Sequence, residues 1–147
     1  MVVPSLLLSQ SVERTFYAPD VFFKDAVFVS SNIGIAVGSN GAIFRTDDGG
    51  NNWTQISSNV NNTLLSITLV GEFGSFISGS DGLLLRSEDN LNWSRQTNPF
   101  MKNSSINATN FKGFLNGYAA SSCGSLFRIV DGAFVELDTY DEESVLK

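Results

Sequence analysis

Four residues whose side chains could interact with one another lie close together between positions 46 and 53. The pattern Ser/Thr-x-Asp-x-Gly-x-x-Trp is carried by Thr46, Asp48, Gly50 and Trp53. The hydroxyl and the carboxylate are short enough to accept hydrogen bonds from backbone N–H groups of the same turn, and glycine takes up a positive φ at little cost. A tryptophan can lie under a hairpin with its indole N–H near a polar end. The pattern therefore predicts a turn that is stabilised by hydrogen bonds to its own side chains. This role is structural.

Two later stretches carry weaker copies of this motif. The second copy is one residue shorter and lacks the glycine, and it keeps Ser87, Asp89 and Trp93. In the third copy Ile129 replaces the hydroxyl residue, and what remains is Asp131, Gly132 and Phe134. An Asp-Gly pair between apolar residues is a strong hairpin signal by itself. We expect three hairpins whose turns differ.

An arginine precedes each motif at a regular interval, at Arg45, Arg86 and Arg128. One interpretation is that these side chains belong to the scaffold and reach towards the turns or lie on a solvent face. The alternative is a ring of cations that contacts an anionic ligand. Because several other positions recur together with the arginine, the pattern favours the scaffold interpretation, and ligand contact stays the alternative.

The sequence does not contain the combination of residues that a known catalytic or metal site requires. It contains no histidine, and its one cysteine, Cys123, is interpreted as a small packing residue. A sialidase-like hydrolase would need paired carboxylates, and no such motif is present. One turn collects the oxygen ligands Asp47, Asp48, Asn51 and Asn52, but without the Asp-x-Asp-x-Asp-Gly spacing of a calcium loop. We therefore predict that the chain is not an enzyme and needs no metal or cofactor.

The motifs sit inside three repeats of short apolar runs separated by Gly, Asn, Ser and Asp, which predict strands and turns. In the first repeat the expected strands are Ala26–Val29, Ile33–Val37, Ala42–Arg45 and Trp53–Ile56. The repeats span 21–57, 64–97 and 106–137, after an N-terminal arm or extra strand (1–20) and before a C-terminal tail (138–147). A period near 40 residues with four strands in each unit is typical of β-propeller blades.

Composition excludes some classes of function. A length of 147 residues suits one domain with a real core, and the net charge of −6 argues against a nucleic-acid surface. The apolar stretch near Met1 is too short for a membrane span and has no basic residue before it, so it predicts neither a membrane segment nor a signal peptide. The location stays unknown, with the cytoplasm, or a virion for a viral protein, as the options.

The segment AVFVSSNIGIAVGSNGAIFRTDDGGNNW (26–53) resembles a repeat of the photosystem II stability and assembly factor type. That family belongs to the bacterial-neuraminidase-repeat propellers, whose turn motif is called the Asp-box. We therefore name the motifs the first box (46–53), the second box (87–93) and the third box (129–134). The resemblance implies an all-β fold and a protein-binding role in photosystem assembly, although such repeats indicate fold better than function.

The number of repeats bears on both fold and function. Members of that family have about twice this length and seven blades, and propellers close with four to eight. We expect a partial propeller of three four-stranded antiparallel Asp-box blades, completed by oligomerisation. The alternative is a β-trefoil, which closes alone from three such repeats but usually carries a Gln-x-Trp signature that this chain lacks.

Three functions remain open at this point. The main hypothesis is a non-catalytic assembly module that binds copies of itself or neighbouring proteins of a large particle, such as a phage virion. The first alternative is a photosystem-assembly-factor-like module that binds proteins. The second alternative is a lectin in which Trp53 and Trp93 stack on a glycan.

Overall fold

The computed structural model describes residues 13, 16–71, 74–97, 103–112, 116–131 and 133–136, and the account below concerns these residues. They form twelve strands: β1 Phe23–Phe28, β2 Gly34–Gly38, β3 Ile43–Thr46, β4 Thr54–Ile56, β5 Leu64–Leu69, β6 Ser75–Gly79, β7 Leu84–Ser87, β8 Ser94–Arg95, β9 Ile106–Phe111, β10 Gly117–Ser121, β11 Leu126–Val130 and β12 Ala133–Glu136. A short 3₁₀ turn, Ser39–Gly41, lies between β2 and β3. None of the helical segments described is long and apolar enough to cross a membrane.

Each repeat folds into its own antiparallel sheet. The strand orders are β1-β2-β3-β4, β5-β6-β7-β8 and β9-β10-β11-β12, so every strand pairs with its neighbour in the chain. We call these the first, second and third sheets. This arrangement confirms the predicted all-β fold of three four-stranded blades, and the trefoil alternative is not the fold.

The strand limits differ in detail from the prediction. The first strand begins at Phe23, three residues earlier than expected, because Phe23 and the polar Asp25 still pair with β2, with a register shift between them. Trp53 precedes β4 and does not open it. Of the extra strand expected within the N-terminal segment at 11–17, the described residues 13, 16 and 17 are not in a strand. Residues 11, 12, 14 and 15 lie outside the described residues, as does the tail 138–147.

The register of pairing gives equivalent positions in the three sheets. On the first strands, Phe23 pairs with Gly38, Leu64 with Gly79, and Ile106 with Ser121. On the second and third strands, the three recurring arginines pair with Ile35, Phe76 and Tyr118. These pairings make residue-by-residue comparison of the sheets possible.

The sheets pack face to face, and the first strands β1, β5 and β9 lie next to one another. Two apolar cores result. The core between the first and second sheets contains Ile35, Val37, Ile43, Leu64, Ile67, Ile77, Leu83, Leu85 and Trp93. The core between the second and third sheets contains Val70, Phe76, Leu84, Ile106, Ala119, Phe127, Ile129 and Phe134.

The middle sheet is apolar on both faces. Successive side chains of a strand point to opposite faces, so Phe76 packs against the third sheet while its neighbour Ile77 packs against the first. The same alternation places Leu84 and Leu85 in different cores. Full burial of one such side chain stabilises the fold by about 1.5–3 kcal/mol. The stacking of sheets is therefore the main source of stability.

The tight turn between the second and third strands of one sheet contacts the segment that leads into the next sheet. Gly41 has φ 66°, and a Cβ at this position would collide with the carbonyl oxygen of Val60. Its N–H donates to the carbonyl of Asn62, just before the second sheet begins. Gly82 has the same φ and donates to the carbonyl of Ser104, just before the third sheet. Glycine is required here because of the close approach of two backbones.

Candidate functional site

The first box is a turn closed by one hydroxyl and one carboxylate. The hydroxyl of Thr46 donates to the carboxylate of Asp48 at 2.8 Å and accepts from the N–H of Gly50 at 2.9 Å. The carboxylate of Asp48 accepts the backbone N–H of Asn52 at 2.9 Å and its side-chain amide at 2.7 Å. Gly49 and Gly50 take φ values of 75° and 94°. The turn is therefore held within seven residues of chain.

The second box keeps the carboxylate but builds a different turn. Ser87 donates to Asp89 at 2.9 Å, and Asp89 accepts from the backbone and side chain of Asn92 at 2.8 and 2.7 Å. No glycine is present, and Asn90 takes the positive φ of 59°. The amide oxygen of Asn90 accepts from the hydroxyl of Ser75, which ties the turn to strand β6.

The loss of the glycine changes the surroundings of the tryptophan. In the first box the indole N–H of Trp53 donates to the carbonyl of Gly50 at 3.1 Å. In the second box Trp93 is buried against the first sheet, and its indole N–H has no acceptor within the described part of the chain. Burial of an unsatisfied donor costs about 1–3 kcal/mol. The shorter box therefore carries an energetic penalty that the first box avoids.

Both carboxylates are held in their charged form. Hydrogen bonds from the backbone and side chain of Asn52, and then from Thr46, lower the pKa of Asp48 to about 2. Bonds from the backbone and side chain of Asn92 hold the pKa of Asp89 well below its usual range. In each box the asparagine that follows the carboxylate is the main cause. A carboxylate in this state is an acceptor and not a proton donor, which suits a structural role.

The third box connects β11 to β12, which pair through Val130 and Ala133. Asp131 has φ 50°, and its N–H donates to the side chain of Asn116 at 3.3 Å. Gly132, its expected partner in the turn, lies outside the described residues. Phe134 is buried between the second and third sheets, and pairing with Ile129 gives it the register of the two tryptophans. The third box thus keeps the aromatic residue of the motif, although it lacks the hydroxyl and the turn-forming carboxylate of the other two boxes.

The recurring arginines occupy three different surroundings. Arg45 is buried, binds Asp47 with two nitrogens, and donates across to the backbone carbonyl of Asn90 in the second sheet at 3.1 Å. Arg86 pairs with Glu88 at 2.9 Å. Arg128 is exposed on the outer face of the third sheet. The structure does not gather the three guanidinium groups around one ligand-sized space, so contact with an anion remains a prediction.

Several clefts lie on the described surface. One, about 450 Å³, lies against the second box and is lined by Arg86, Ser87, Glu88, Asp89, Asn92, Trp93 and Ser94. A second, about 390 Å³, lies on the open face of the first sheet beside Phe16, Phe23 and Trp53. A third, about 320 Å³, lies on the open face of the third sheet beside Lys112, Tyr118 and Arg128. The described residues contain no group of three or more acidic, histidine or cysteine ligands placed to hold a metal ion.

Cys123 does not pack in a core as the sequence suggested. It is exposed in the turn after β10. Hydrogen bonds from Ser104, and then from Ser121 and Ser125, lower the pKa of its thiol to about 6. The serine-rich composition of the turn was the sequence signal that could have indicated this environment.

Polar contacts between sheets were missed by sequence reasoning. The carboxylate of Asp25 accepts from the hydroxyl of Ser66 at 3.1 Å and from the N–H of Ile67 at 3.0 Å. Thr68 likewise donates to the carbonyl of Thr109 at 2.8 Å. The partners are more than 40 residues apart, and no local pattern links them. These contacts fix how neighbouring first strands lie against each other.

The known proteins that this chain resembles agree with the arrangement of strands and turns described above. The family model described as "Photosynthesis system II assembly factor YCF48" matches residues 10–102, which is more than half of the chain. The photosystem II assembly lipoprotein Ycf48 of Synechococcus sp. (strain CC9902) is 41% identical over 76 residues, which cover 48% of this chain and 22% of that protein.

Two solved structures have the same fold. YCF48 from Cyanidioschyzon merolae superposes with a TM-score of 0.72 at 21% identity, over 85% of this chain and 39% of that one. YCF48 bound to D1 peptide superposes with a TM-score of 0.65 at 22% identity, over 76% of this chain and 38% of that one. The chain thus spans less than half the length of these relatives. The repeats, the sheet stacking and the family match together show that it belongs to the photosystem II assembly factor YCF48 family, as an all-β partial propeller of BNR-type repeats.

Proposed function

We propose that the chain is a non-catalytic protein-binding module of the photosystem assembly-factor type, and that it binds an extended peptide segment of a photosystem protein such as D1. The family match over residues 10–102 is the observation that carries this proposal. A relative of the same fold is described as bound to D1 peptide. Because this chain spans only part of each relative, the peptide-binding property is extended to it as a proposal.

The cleft against the second box is our proposed peptide site. It is lined by Arg86 and Glu88, which pair with each other at 2.9 Å, and by the polar side chains of Ser87, Asn92 and Ser94. An extended peptide offers backbone donors and acceptors together with side chains of either sign, and a cleft lined by hydroxyl, amide and charged groups of both signs suits it. All of the lining residues belong to the second sheet or its turn, so the site needs no partner blade.

The other two hypotheses receive less support. The relatives named above are assembly factors by description, and none of them is a component of a virus particle. For a lectin, both tryptophans should present a ring face to solvent. Trp93 is buried between sheets, and Trp53 packs its ring against Phe16 and Phe28. We therefore do not propose glycan binding or a particle component.

The test is a titration of the 147-residue chain with a fluorescent peptide of D1 sequence, read by anisotropy. We expect saturable binding that weakens at least about tenfold, or roughly 1.4 kcal/mol, in Arg86→Gln or Glu88→Gln. Arg95→Gln is the matched control, because Arg95 is exposed on β8 but does not line the cleft. No saturable binding by the unmodified chain contradicts the function. Equal binding by all three variants contradicts only the assignment of the cleft.

A further inference from the structure

One residue connects the two parts of the cleft that lies against the second box. The lining residues run up to Asp89 on one side of Asn90 and resume at Asn92 on the other. Asn90 turns the chain between them with a positive φ of 59°, a conformation that asparagine tolerates better than most residues with a Cβ. The shape of the cleft therefore depends on the contacts that hold Asn90 in this conformation.

Two hydrogen bonds hold Asn90 from outside the turn. Its amide oxygen accepts from the hydroxyl of Ser75, which lies on β6 of the same sheet. Its backbone carbonyl accepts from Nη1 of Arg45 at 3.1 Å, and Arg45 lies on β3 of the first sheet, 45 residues away in the chain. The second bond is thus a contact between two sheets, made at the tip of the turn that forms the cleft.

The first box satisfies the corresponding carbonyl from within its own turn. Gly50 and Asn90 each stand three residues before the tryptophan of their box. The carbonyl of Gly50 accepts from the indole N–H of Trp53 at 3.1 Å, whereas the carbonyl of Asn90 accepts from Arg45. The indole N–H of Trp93 has no acceptor among the described residues. In the second box, the arginine of the neighbouring sheet therefore takes the role that the tryptophan has in the first.

Arg45 is held in the orientation that this contact needs. Its side chain is 9% exposed, and its Nε and Nη2 atoms donate to the carboxylate of Asp47 at 3.0 and 2.6 Å. A guanidinium group is planar and rigid, so two bonds on one edge fix the direction of the third nitrogen, Nη1. Asp47 therefore aims Nη1 at the carbonyl of Asn90, and Arg45 and Asp47 both lie outside the lining of the cleft.

From these contacts we propose that Arg45 is a positioning residue of the peptide site, which fixes the second-box turn from the first sheet and is itself oriented by Asp47. This inference rests on the proposed function of the cleft. It adds that the lining comes from one sheet, while its shape is set by the neighbouring sheet of the same chain. A turn that is already ordered binds a peptide without a further cost of ordering, so loss of the Arg45 contact lowers the affinity.

The test is the anisotropy titration with the fluorescent D1 peptide, applied to Arg45→Met. Methionine keeps a long apolar stem but donates no hydrogen bond, and we expect the dissociation constant to rise at least about tenfold. Asp47→Asn, at a position that is 68% exposed, should give a smaller rise. Arg128→Met is the matched control, because Arg128 holds the same register in the third sheet and lines a different cleft. An unchanged dissociation constant in Arg45→Met overturns the proposal.

A second control separates positioning from a general loss of stability. Ile43→Val removes one buried methyl group from the interface between the same two sheets, at the end of β3 far from the first box. It should lower the midpoint of urea unfolding without weakening peptide binding. If Ile43→Val weakens binding as much as Arg45→Met does, a loosened interface explains both results and the positioning role is wrong.

A double-mutant cycle tests whether Arg45 acts through the turn. Glu88 belongs to that turn and lines the cleft. Arg45→Met should have little further effect in a Glu88→Gln background, because the peptide contact that it supports is already lost, and losses that multiply would contradict the proposal. Absence of binding by the unmodified chain would remove the proposed function as well. Weakening by Glu88→Gln but not by Arg45→Met would remove this inference alone.

Discussion

The first and second boxes keep the same carboxylate and differ in what surrounds it. In both, the aspartate accepts from the backbone and side chain of a following asparagine, Asn52 or Asn92. The first box then closes on itself through its glycines and Thr46. The second, one residue shorter, uses Asn90 for the positive φ and binds to the scaffold through Ser75 and Arg45.

The comparison shows which parts of the motif are interchangeable. The carboxylate and its asparagine organise the turn in both cases, so they are the core of the motif. The longer turn of the first box, with Gly50 at a positive φ, places the carbonyl of Gly50 where the indole N–H of Trp53 donates to it. Where the glycine is missing, contacts from Ser75 of the same sheet and Arg45 of the neighbouring sheet add to the contacts within the turn. Substitutions in the two boxes should therefore have unequal effects.

The largest difference is expected at the tryptophans. Trp93→Ala removes a ring buried between two sheets and should destabilise the chain by about 3–5 kcal/mol. Trp53→Ala should cost less, about 1–2 kcal/mol, because Trp53 is only half-buried and packs mainly on Phe16 and Phe28. Urea unfolding of both variants at one protein concentration measures this. Equal losses would mean that the two rings are equally enclosed and would remove the distinction.

A smaller difference is expected at the hydroxyls. Thr46→Val keeps the shape of a buried side chain but leaves the N–H of Gly50 without its acceptor, and we expect a cost of about 1–3 kcal/mol. Ser87→Ala removes one hydrogen-bond donor to Asp89. Because two backbone N–H groups of the turn also donate to this carboxylate, the substitution should cost about 0.5–1.5 kcal/mol. The midpoints of urea unfolding give both values. A larger loss in Ser87→Ala would contradict the self-contained nature of the first box.

The smallest effect is a difference in pH dependence. The folded-state pKa values of Asp48 and Asp89 lie below the ordinary value of 3.8, so each carboxylate stabilises the fold above that pH. This stabilisation is lost as the pH falls through 3.8 towards the folded pKa, about 2 for Asp48 and lower for Asp89. The gap in stability between the unmodified chain and Asp48→Asn should therefore close by about pH 2, and the gap for Asp89→Asn at lower pH.

Unfolding midpoints measured from pH 7 down to pH 2 test this order. The difference in stability between the unmodified chain and either variant could instead stay constant over the whole pH range. That result would show that the amide differs from the carboxylate by shape alone. The comparison uses two aspartates with the same set of partners, so each variant is the control for the other.

Local features were predictable from the sequence because the interactions that produce them span few residues. The pattern around Thr46 and Asp48 predicted a turn, and its hydrogen bonds all end within seven residues of the chain. The Asp-Gly pair at 131–132 predicted the turn between β11 and β12. The period of the repeats predicted three four-stranded sheets, because alternating apolar residues between turn residues specify a meander.

Contacts between sheets were decided only in the tertiary structure. The bond from Arg45 to Asn90 and the bond from Ser66 to Asp25 join residues more than 40 positions apart, and nothing in either local sequence names the partner. In the sequence, Leu84 and Leu126 look alike, because both are apolar residues at the same position of their repeats. Only the stacking of the sheets buries the first and exposes the second, because burial depends on whether another sheet lies opposite. The amino-acid sequence therefore determined the blades and their turns, and the packing of whole sheets decided which of their faces meet.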